Sequence, residues 1–141
     1  MLFKYIATIE DDPDGGFVVT FADVPEAITA GETREEALTN AREALGLALR
    51  GILQDGGNLP EPAAKQGTPV SVEADVALKL GVIQAFKSSG ISKSELARRI
   101  GREEKEARRI LDPDHATKIG LLQEALHVLG MEVTVSVQRA A

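Results

Sequence analysis

Hydrophobic and polar positions alternate at the start of the chain, a pattern typical of β-strands. Phe3, Tyr5, Ala7 and Ile9 occupy every second position. Successive side chains of a strand point to opposite faces, so these four would share one face of a sheet. The turn-like sequence DDPDGG separates this segment from the β-rich run FVVTF, which predicts a β-hairpin.

The next part of the chain changes from a period of two to helical spacing. EAITAGE reads as a third short extended segment, and Thr33 and Glu36 then have the spacing of a capping box that starts a helix. The helical pattern stops at Gly56 and Gly57. Its single apolar stripe, which would press on the sheet, comprises Ala37, Leu38, Ala41, Leu45, Ala48, Leu49 and Ile52.

Residues 58–69 contain three prolines and a glycine without periodicity, which predicts a connection. The alternation of Val70 and Val72 favours a fourth strand that completes the sheet. The first part of the chain is therefore predicted to be a ββ-β-α-β domain over residues 1–75, within an α+β protein.

The remainder, residues 76–141, is predicted to be helical with a terminal β-strand. Four helices are expected, separated by turn-length gaps and followed by Gly130 as a stop signal. MEVTVSV alternates strictly and predicts a strand that needs a partner. The predicted helical segments are ALKLGVIQAFKSSG, SKSELARRI, EEKEARRIL and HATKIGLLQEALHVLG.

The charge distribution also divides the chain in two. The net charge of -6 comes from 16 Lys and Arg against 22 Asp and Glu. Residues 1–70 hold five basic and twelve acidic side chains, a net of -7, whereas residues 71–141 hold 11 basic and 10 acidic, a net of +1. Such a split suggests two modules with different partners.

Composition excludes several classes of function. Without cysteine the chain has neither disulfides nor thiolate metal sites, and aromatic residues at 4% leave few platforms for stacking single-stranded bases. The sequence shows neither a signal-peptide pattern nor 18 consecutive apolar residues, so we expect a cytoplasmic protein that does not enter the membrane.

Enzyme chemistry finds little support, and we expect no catalytic residue, metal or cofactor. Aligning the hairpin turn with a calcium-binding loop places Phe21 where the bidentate Glu is required. His115 and His127 lack the spacing of a metal pair. Asp114 beside His115 could form an acid–base pair, but a solvated loop is the better interpretation.

The segment GISKSELARRIGREEKEARRILD has the spacing of a helix-turn-helix. Such a motif needs a small residue where the helices cross and a residue tolerant of positive φ in the turn, which Ala97 and Gly101 supply. Leu96, Ile100, Ala107, Ile110 and Leu111 would face inward. Glu104 with Arg108 and Glu106 with Arg109 could instead form pairs on a solvated helix. The candidate DNA-binding residues are Ser92, Ser94, Arg102, Glu103, Lys105, Arg108 and Arg109.

Taken as a whole, the chain resembles the HicB-type antitoxins of bacterial toxin–antitoxin pairs. The resemblance is carried by VPEAITAGETREEALTNAREALGLALRGILQDGGNLPEP, which gives a Pro, a Gly, Thr-x-Glu-Glu-Ala, a Leu-rich helix and Gly-x-x-Pro-x-Pro in that order. The rear half resembles the Xre/Cro-type helix-turn-helix domain of one branch of that family. Glu103 and Glu104 depart from the Ser, Thr or Gln common there.

The resemblance implies a partial ribonuclease-H-like domain without nuclease activity that covers a HicA-type mRNA-cleaving toxin. It also implies a homo-oligomer, a dimer or tetramer, that represses its own operon by binding double-stranded operator DNA. Two alternatives remain: a regulator that senses another partner or a small molecule, and a magnesium-dependent ribonuclease-H-like hydrolase using Asp11, Asp12 and Asp14. The candidate toxin-binding residues are Asp11, Asp12, Asp14, Asp23 and Glu26.

Overall fold

The computed structural model describes residues 1–140, which divide into two compact units, Met1–Glu73 and Ala74–Ala140. The first unit contains four strands and one helix, and the second contains four helices. In chain order the elements are β1 (Lys4–Asp11), β2 (Phe17–Phe21), β3 (Ile28–Gly31), α1 (Arg34–Gln54), β4 (Thr68–Ser71), α2 (Ala74–Ser89), α3 (Lys93–Ile100), α4 (Glu104–Ile110) and α5 (Ile119–Val128).

The first unit is an antiparallel sheet with strand order β3-β2-β1-β4. Ala7 lies opposite Phe21, and Tyr5 lies opposite Val70. The predicted ββ-β-α-β order and the α+β class are confirmed, and Val70 lies in β4 as the alternation indicated. Similarity to the ribonuclease-H fold stays a prediction.

One face of this sheet carries α1, and the alternation seen in the sequence decides which side chains lie beneath it. Tyr5 and Ala7 of β1 and Val19 and Phe21 of β2 are all buried. Most of the stripe of α1 is also buried, although Ala48 and Ile52 are only half-buried and Leu53 takes the inner position. Leu45, Leu49 and Leu53 recur every four residues, so they stay on one side of the helix.

The start of α1 is fixed by local chemistry. The Thr33 hydroxyl accepts a hydrogen bond from the Glu36 N–H at 3.1 Å, as the capping-box spacing predicted. Gly31, at the end of β3, lets the helix approach closely, because a Cβ there would collide with the backbone of Ala37. Because Gly31 has no side chain, the first turn of α1 can pack closely against the end of β3.

The second unit encloses an aliphatic core of its own. Residues of all four helices contribute to it, and Met131 and Val133 pack against it from the chain that follows α5. The fully buried members include Val82, Leu96, Ala107, Ile110 and Leu122.

Two predictions about the second unit differ from the structure. The fourth helix begins at Ile119 rather than at His115, because the Asp112 carboxylate accepts a hydrogen bond from the Asp114 N–H at 3.0 Å and holds a turn there. The terminal strand predicted for residues 131–137 is not formed, and these residues have neither helix nor strand. The described part of this unit is otherwise helical and offers no strand to pair with.

Candidate functional site

The α3–α4 pair is joined by a three-residue turn whose geometry follows from its sequence. Ser92 caps α3, its hydroxyl accepting a hydrogen bond from the Glu95 N–H at 3.0 Å. Gly101 ends α3 in the left-handed region at φ 68°, where a side chain would be strained. The N–H of Arg102 returns to the Ala97 carbonyl at 2.9 Å, which closes the helix end.

The side chains of this pair divide into an inner and an outer set, as the spacing indicated. Leu96, Ala97, Ile100, Ala107 and Ile110 are buried. Leu111 is half-buried. The outward positions of α4 and its flanks are all exposed, namely Glu103, Glu104, Lys105, Arg108, Arg109 and Asp112.

Carboxylates hold several of the exposed arginines. Glu104 accepts from Arg108 at 3.3 Å and from the Ser94 hydroxyl at 2.9 Å, so it links α4 to α3. Glu106 pairs with Arg102 at 3.6 Å, not with Arg109, the partner that helical spacing also allowed. Both pairs join residues four apart, but only Glu104–Arg108 lies within α4, because Arg102 belongs to the turn before it.

A similar arrangement holds the arginines of α3. Glu95 forms ion pairs with Arg98 and, at 2.9 Å, with Arg99. Hydrogen bonds from these two guanidinium groups lower the pKa of the Glu95 carboxyl to about 2. The carboxylate of Glu95 therefore partly neutralises the charges of Arg98 and Arg99.

Lys105 and Arg109 differ from their neighbours because no carboxylate within residues 1–140 pairs with either side chain. Arg109 also lines a surface groove of about 580 Å³ between α4, the loop that follows it, and α5. Lys118 and His115 line the same groove, and Ile110 forms part of its apolar surface. The groove thus places Arg109 and Lys118 near the C-terminal end of α4, and the carboxylates of Glu106 and Glu124 line it as well.

One functional candidate, Lys79 of α2, was missed by sequence analysis. It is 4% exposed and is the single buried charged side chain of the described chain. Its ammonium donates to the carbonyls of Arg109 at 3.1 Å and Ile110 at 2.8 Å, and to the Thr117 hydroxyl at 2.7 Å. Burial lowers its pKa from 10.5 to about 8, and the nearby Asp112 carboxylate opposes that shift.

The acidic candidates of the first unit lie mainly on exposed loops. Asp11 ends β1, and Asp12 accepts a hydrogen bond from the Asp14 N–H at 3.0 Å within the hairpin turn. Glu26 is exposed in the loop before β3.

Asp23 has a structural role. One of its carboxylate oxygens accepts from the N–H groups of Ala63 at 2.9 Å and Ala64 at 2.8 Å. It therefore anchors the connection between α1 and β4. The Tyr5 hydroxyl anchors the same connection by donating to the Pro60 carbonyl at 2.7 Å. The pKa of Tyr5 is raised, first by burial and then by the charges of Glu61 and Asp23.

The described residues contain no group of three His, Cys, Asp or Glu side chains that could hold a metal ion. Asp11, Asp12 and Asp14 thus lack the converging carboxylates that two-metal hydrolysis requires. Among residues 1–140, the helices are too short or too polar to cross a membrane.

Comparison with known proteins decides the family. Residues 4–87 match the model of the HicB_like antitoxin of bacterial toxin–antitoxin systems. The chain belongs to the HicB-like antitoxin family. Its relatives in that family include Antitoxin HicB of Escherichia coli K12, 39% identical over 94% of this chain and 97% of that protein.

Two further HicB-like relatives extend the similarity along most of the chain. Antitoxin HicB 1 of Photorhabdus laumondii is 37% identical over 96% of this chain and 87% of that protein. Antitoxin HicB of Pseudomonas fluorescens is 33% identical over 99% of this chain and 97% of its own length. The similarity to HicB-like antitoxins therefore includes residues beyond the 4–87 match.

Proposed function

We propose that this HicB-like chain binds and neutralises a HicA-type mRNA-cleaving ribonuclease toxin and represses its own operon by binding operator DNA. It would act in the cytoplasm as a dimer or tetramer, without catalysing a reaction. The observation that carries the proposal is its similarity, along almost the whole chain, to proteins named as HicB antitoxins.

The charge of the first unit supports a basic partner. Met1–Glu73 contains five basic and thirteen acidic side chains, a net of -8. A toxin that binds RNA is expected to be basic, so opposite charges would speed their encounter and favour the correct partner. The exposed Asp11, Asp14 and Glu26 and the half-buried Asp12 remain the proposed toxin-binding residues. Asp23 would act through the loop that it anchors.

The α3–α4 pair supports the DNA-binding part of the proposal. We assign it as a helix-turn-helix in which α4 enters the major groove. Lys105 and Arg109 are free to meet phosphates or bases, and Arg108 can exchange its weak surface pair for a phosphate contact. Ser92, Ser94, Arg102 and Glu103 lie on the same pair of helices or its turn.

Toxin binding is tested by co-purification. The full-length chain, expressed with its neighbouring genes, should bring down a small basic protein of about 60–90 residues and suppress its RNA cleavage. Recovery of a different protein, or of a small molecule, would favour a regulator that senses another signal. Absence of a toxin gene beside this one, with no partner recovered, would contradict the antitoxin role.

DNA binding is tested with the DNA upstream of the gene. Arg109→Ala should weaken binding and reduce the slope of log K against log salt by about one, because one phosphate contact is lost. Lys87→Met, on α2, is the matched control and should leave the slope unchanged. An unchanged slope for Arg109→Ala and for Lys105→Ala would place the DNA surface elsewhere.

A further inference from the structure

Lys79 lies in the apolar sequence VALKLGVIQAF, where a charge is unexpected. Burying an ammonium is unfavourable unless hydrogen bonds replace the lost water. Here all three of its donors have acceptors within 3.1 Å. A hydrophobic side chain would suit this buried position. The presence of a lysine must therefore be explained by the contacts that its ammonium makes.

Those contacts concentrate on the end of α4. Arg109 and Ile110 are the last two residues of the helix, and no N–H within α4 pairs with their carbonyls, although that of Arg109 also accepts from the Asp112 N–H at 3.2 Å. A cation is also favourable at the negative end of a helix dipole. Lys79 therefore acts as a C-terminal cap supplied by a different helix.

The third acceptor connects the cap to the loop before α5. Arg109, Ile110 and Thr117, the three acceptor residues, all line the groove described above, and Lys118 follows Thr117 directly. Lys79 thus holds the backbone that carries Arg109 directly, and it holds the residue before Lys118 through the Thr117 hydroxyl. One buried side chain sets the spacing of two surface cations.

We propose that Lys79 is a positioning residue for nucleic-acid binding, which fixes the end of α4 and the following loop so that Arg109 and Lys118 can hold DNA phosphates across the groove. This role rests on the proposed function of the α3–α4 pair. Lys79 itself, being buried, touches no phosphate.

The salt dependence of DNA binding separates this role from a general effect on folding. A buried lysine releases no counterion, so Lys79→Met can change the salt slope only through surface cations. We expect Lys79→Met to weaken binding to the upstream DNA about tenfold and to reduce the slope by about one. Loss of folded protein alone would lower the apparent affinity and leave the slope as it was.

A double variant identifies which cation is affected. If Lys79 acts through Arg109, adding Lys79→Met to Arg109→Ala should change the salt slope little further. Adding Lys79→Met to Lys105→Ala should instead reduce the slope by the sum of the two single effects. Lys87→Met is the control for loss of a lysine from the same helix. Hydrogen exchange at the Leu111 and Asp112 amides should quicken in Lys79→Met, while the α3 amides keep their protection.

Thr117→Val provides a second test should Lys79→Met fail to fold. It removes one acceptor while keeping the side-chain shape, and it should lower the slope in the same direction by a smaller amount. An unchanged slope in both folded variants, or in Thr117→Val alone where Lys79→Met is unfolded, would overturn the role of Lys79. Absence of DNA binding by the unaltered chain would instead overturn the DNA-binding proposal and this role with it.

Discussion

The carboxylates at the start of α4 differ in how far they are available to DNA. Glu104 is held by Arg108 and by the Ser94 hydroxyl. Glu103 sits at the N-cap position of α4 but makes no side-chain capping bond. An unengaged carboxylate there would repel phosphates or, if it reaches a base, accept from the amino group of cytosine.

We predict that Glu103→Gln strengthens binding to non-specific DNA by about threefold to tenfold, because it removes a negative charge from the proposed interface. Glu104→Gln should gain less, since it also weakens the contacts that hold α4 to α3. Fluorescence anisotropy at a fixed salt concentration measures both. Weaker binding of Glu103→Gln to the upstream DNA alone would indicate a base contact instead.

The lowered pKa of Lys79 predicts an unusual pH dependence of the free energy of unfolding. Its folded pKa of about 8 lies below its ordinary value of 10.5, so between these pH values the unfolded chain binds more protons. The free energy of unfolding of the second unit should therefore rise with pH in this window. Between pH 7.5 and 9.5 the gain should be about 1–2 kcal/mol.

Urea denaturation followed by helical circular dichroism measures this gain. The rise should disappear in Lys79→Met and persist in Lys87→Met. The raised pKa of Tyr5 acts in the opposite direction above pH 10, so the measurement stops at pH 9.5. Equal pH slopes for the unaltered chain and Lys79→Met would contradict the lowered pKa.

At the scale of elements, the turn between α3 and α4 depends on the conformation of one residue. Gly101→Ala should destabilise the second unit by about 1 kcal/mol, because alanine is strained at φ 68°. Gly120 of α5 is the matched control: it has no positive φ, and a Cβ there meets nothing within 4 Å. Gly120→Ala should be neutral or slightly stabilising, and thermal denaturation compares the two. Equal melting temperatures would argue against strain at Gly101.

The elements that sequence predicted best are those whose cause is local. Thr33 caps α1, Gly101 ends α3, and the alternation of Tyr5 and Ala7 defines the buried face of β1. The sequence predicted too early a start for α5, because helical propensity does not include the local hydrogen bond that forms the turn at Asp112.

Contacts distant in sequence escaped prediction. Lys79 bonds to backbone carbonyls 30 and 31 residues away, and Asp23 to amides 40 and 41 residues away. Every residue type has a backbone carbonyl and nearly every type a backbone N–H, so no sequence pattern could reveal these partners. Glu106 pairs with Arg102 and not with Arg109. The two arginines lie four and three positions from Glu106, so sequence spacing alone could not tell which of them would be its partner.

For the whole molecule, net charge is a poor guide because the two units differ. Met1–Glu73 has a net charge of -8, whereas Ala74–Ala140 holds eleven basic and nine acidic side chains, a net of +2. An acidic unit and a mildly basic one suit a basic protein and DNA respectively. Because the two charges lie on different units, the acidic unit could bind a toxin while the basic unit binds an operator.

The segment after α5 suggests how two copies of the chain could associate. Met131 and Val133 pack on the core of the second unit, but Val135 and Val137 are 79% and 92% exposed. Within the described residues, the backbone of 132–140 makes no hydrogen bonds to other residues. An alternating segment with free backbone groups is suited to pair with a second copy of itself, and this pairing would supply the partner that the predicted strand lacks.

If the proposed oligomer forms in this way, Val135→Glu combined with Val137→Glu should lower its mass, because like charges would meet across the paired strands. Light scattering after size-exclusion chromatography measures the mass. Operator binding should weaken, because in the proposed oligomer two linked α4 helices would bind two half-sites together. The proposed toxin binding by the first unit should persist. The matched control is Val135→Thr with Val137→Thr, which retains β-branched side chains and should keep the mass. A glutamate variant that keeps its mass and operator affinity would show that the copies associate through another surface.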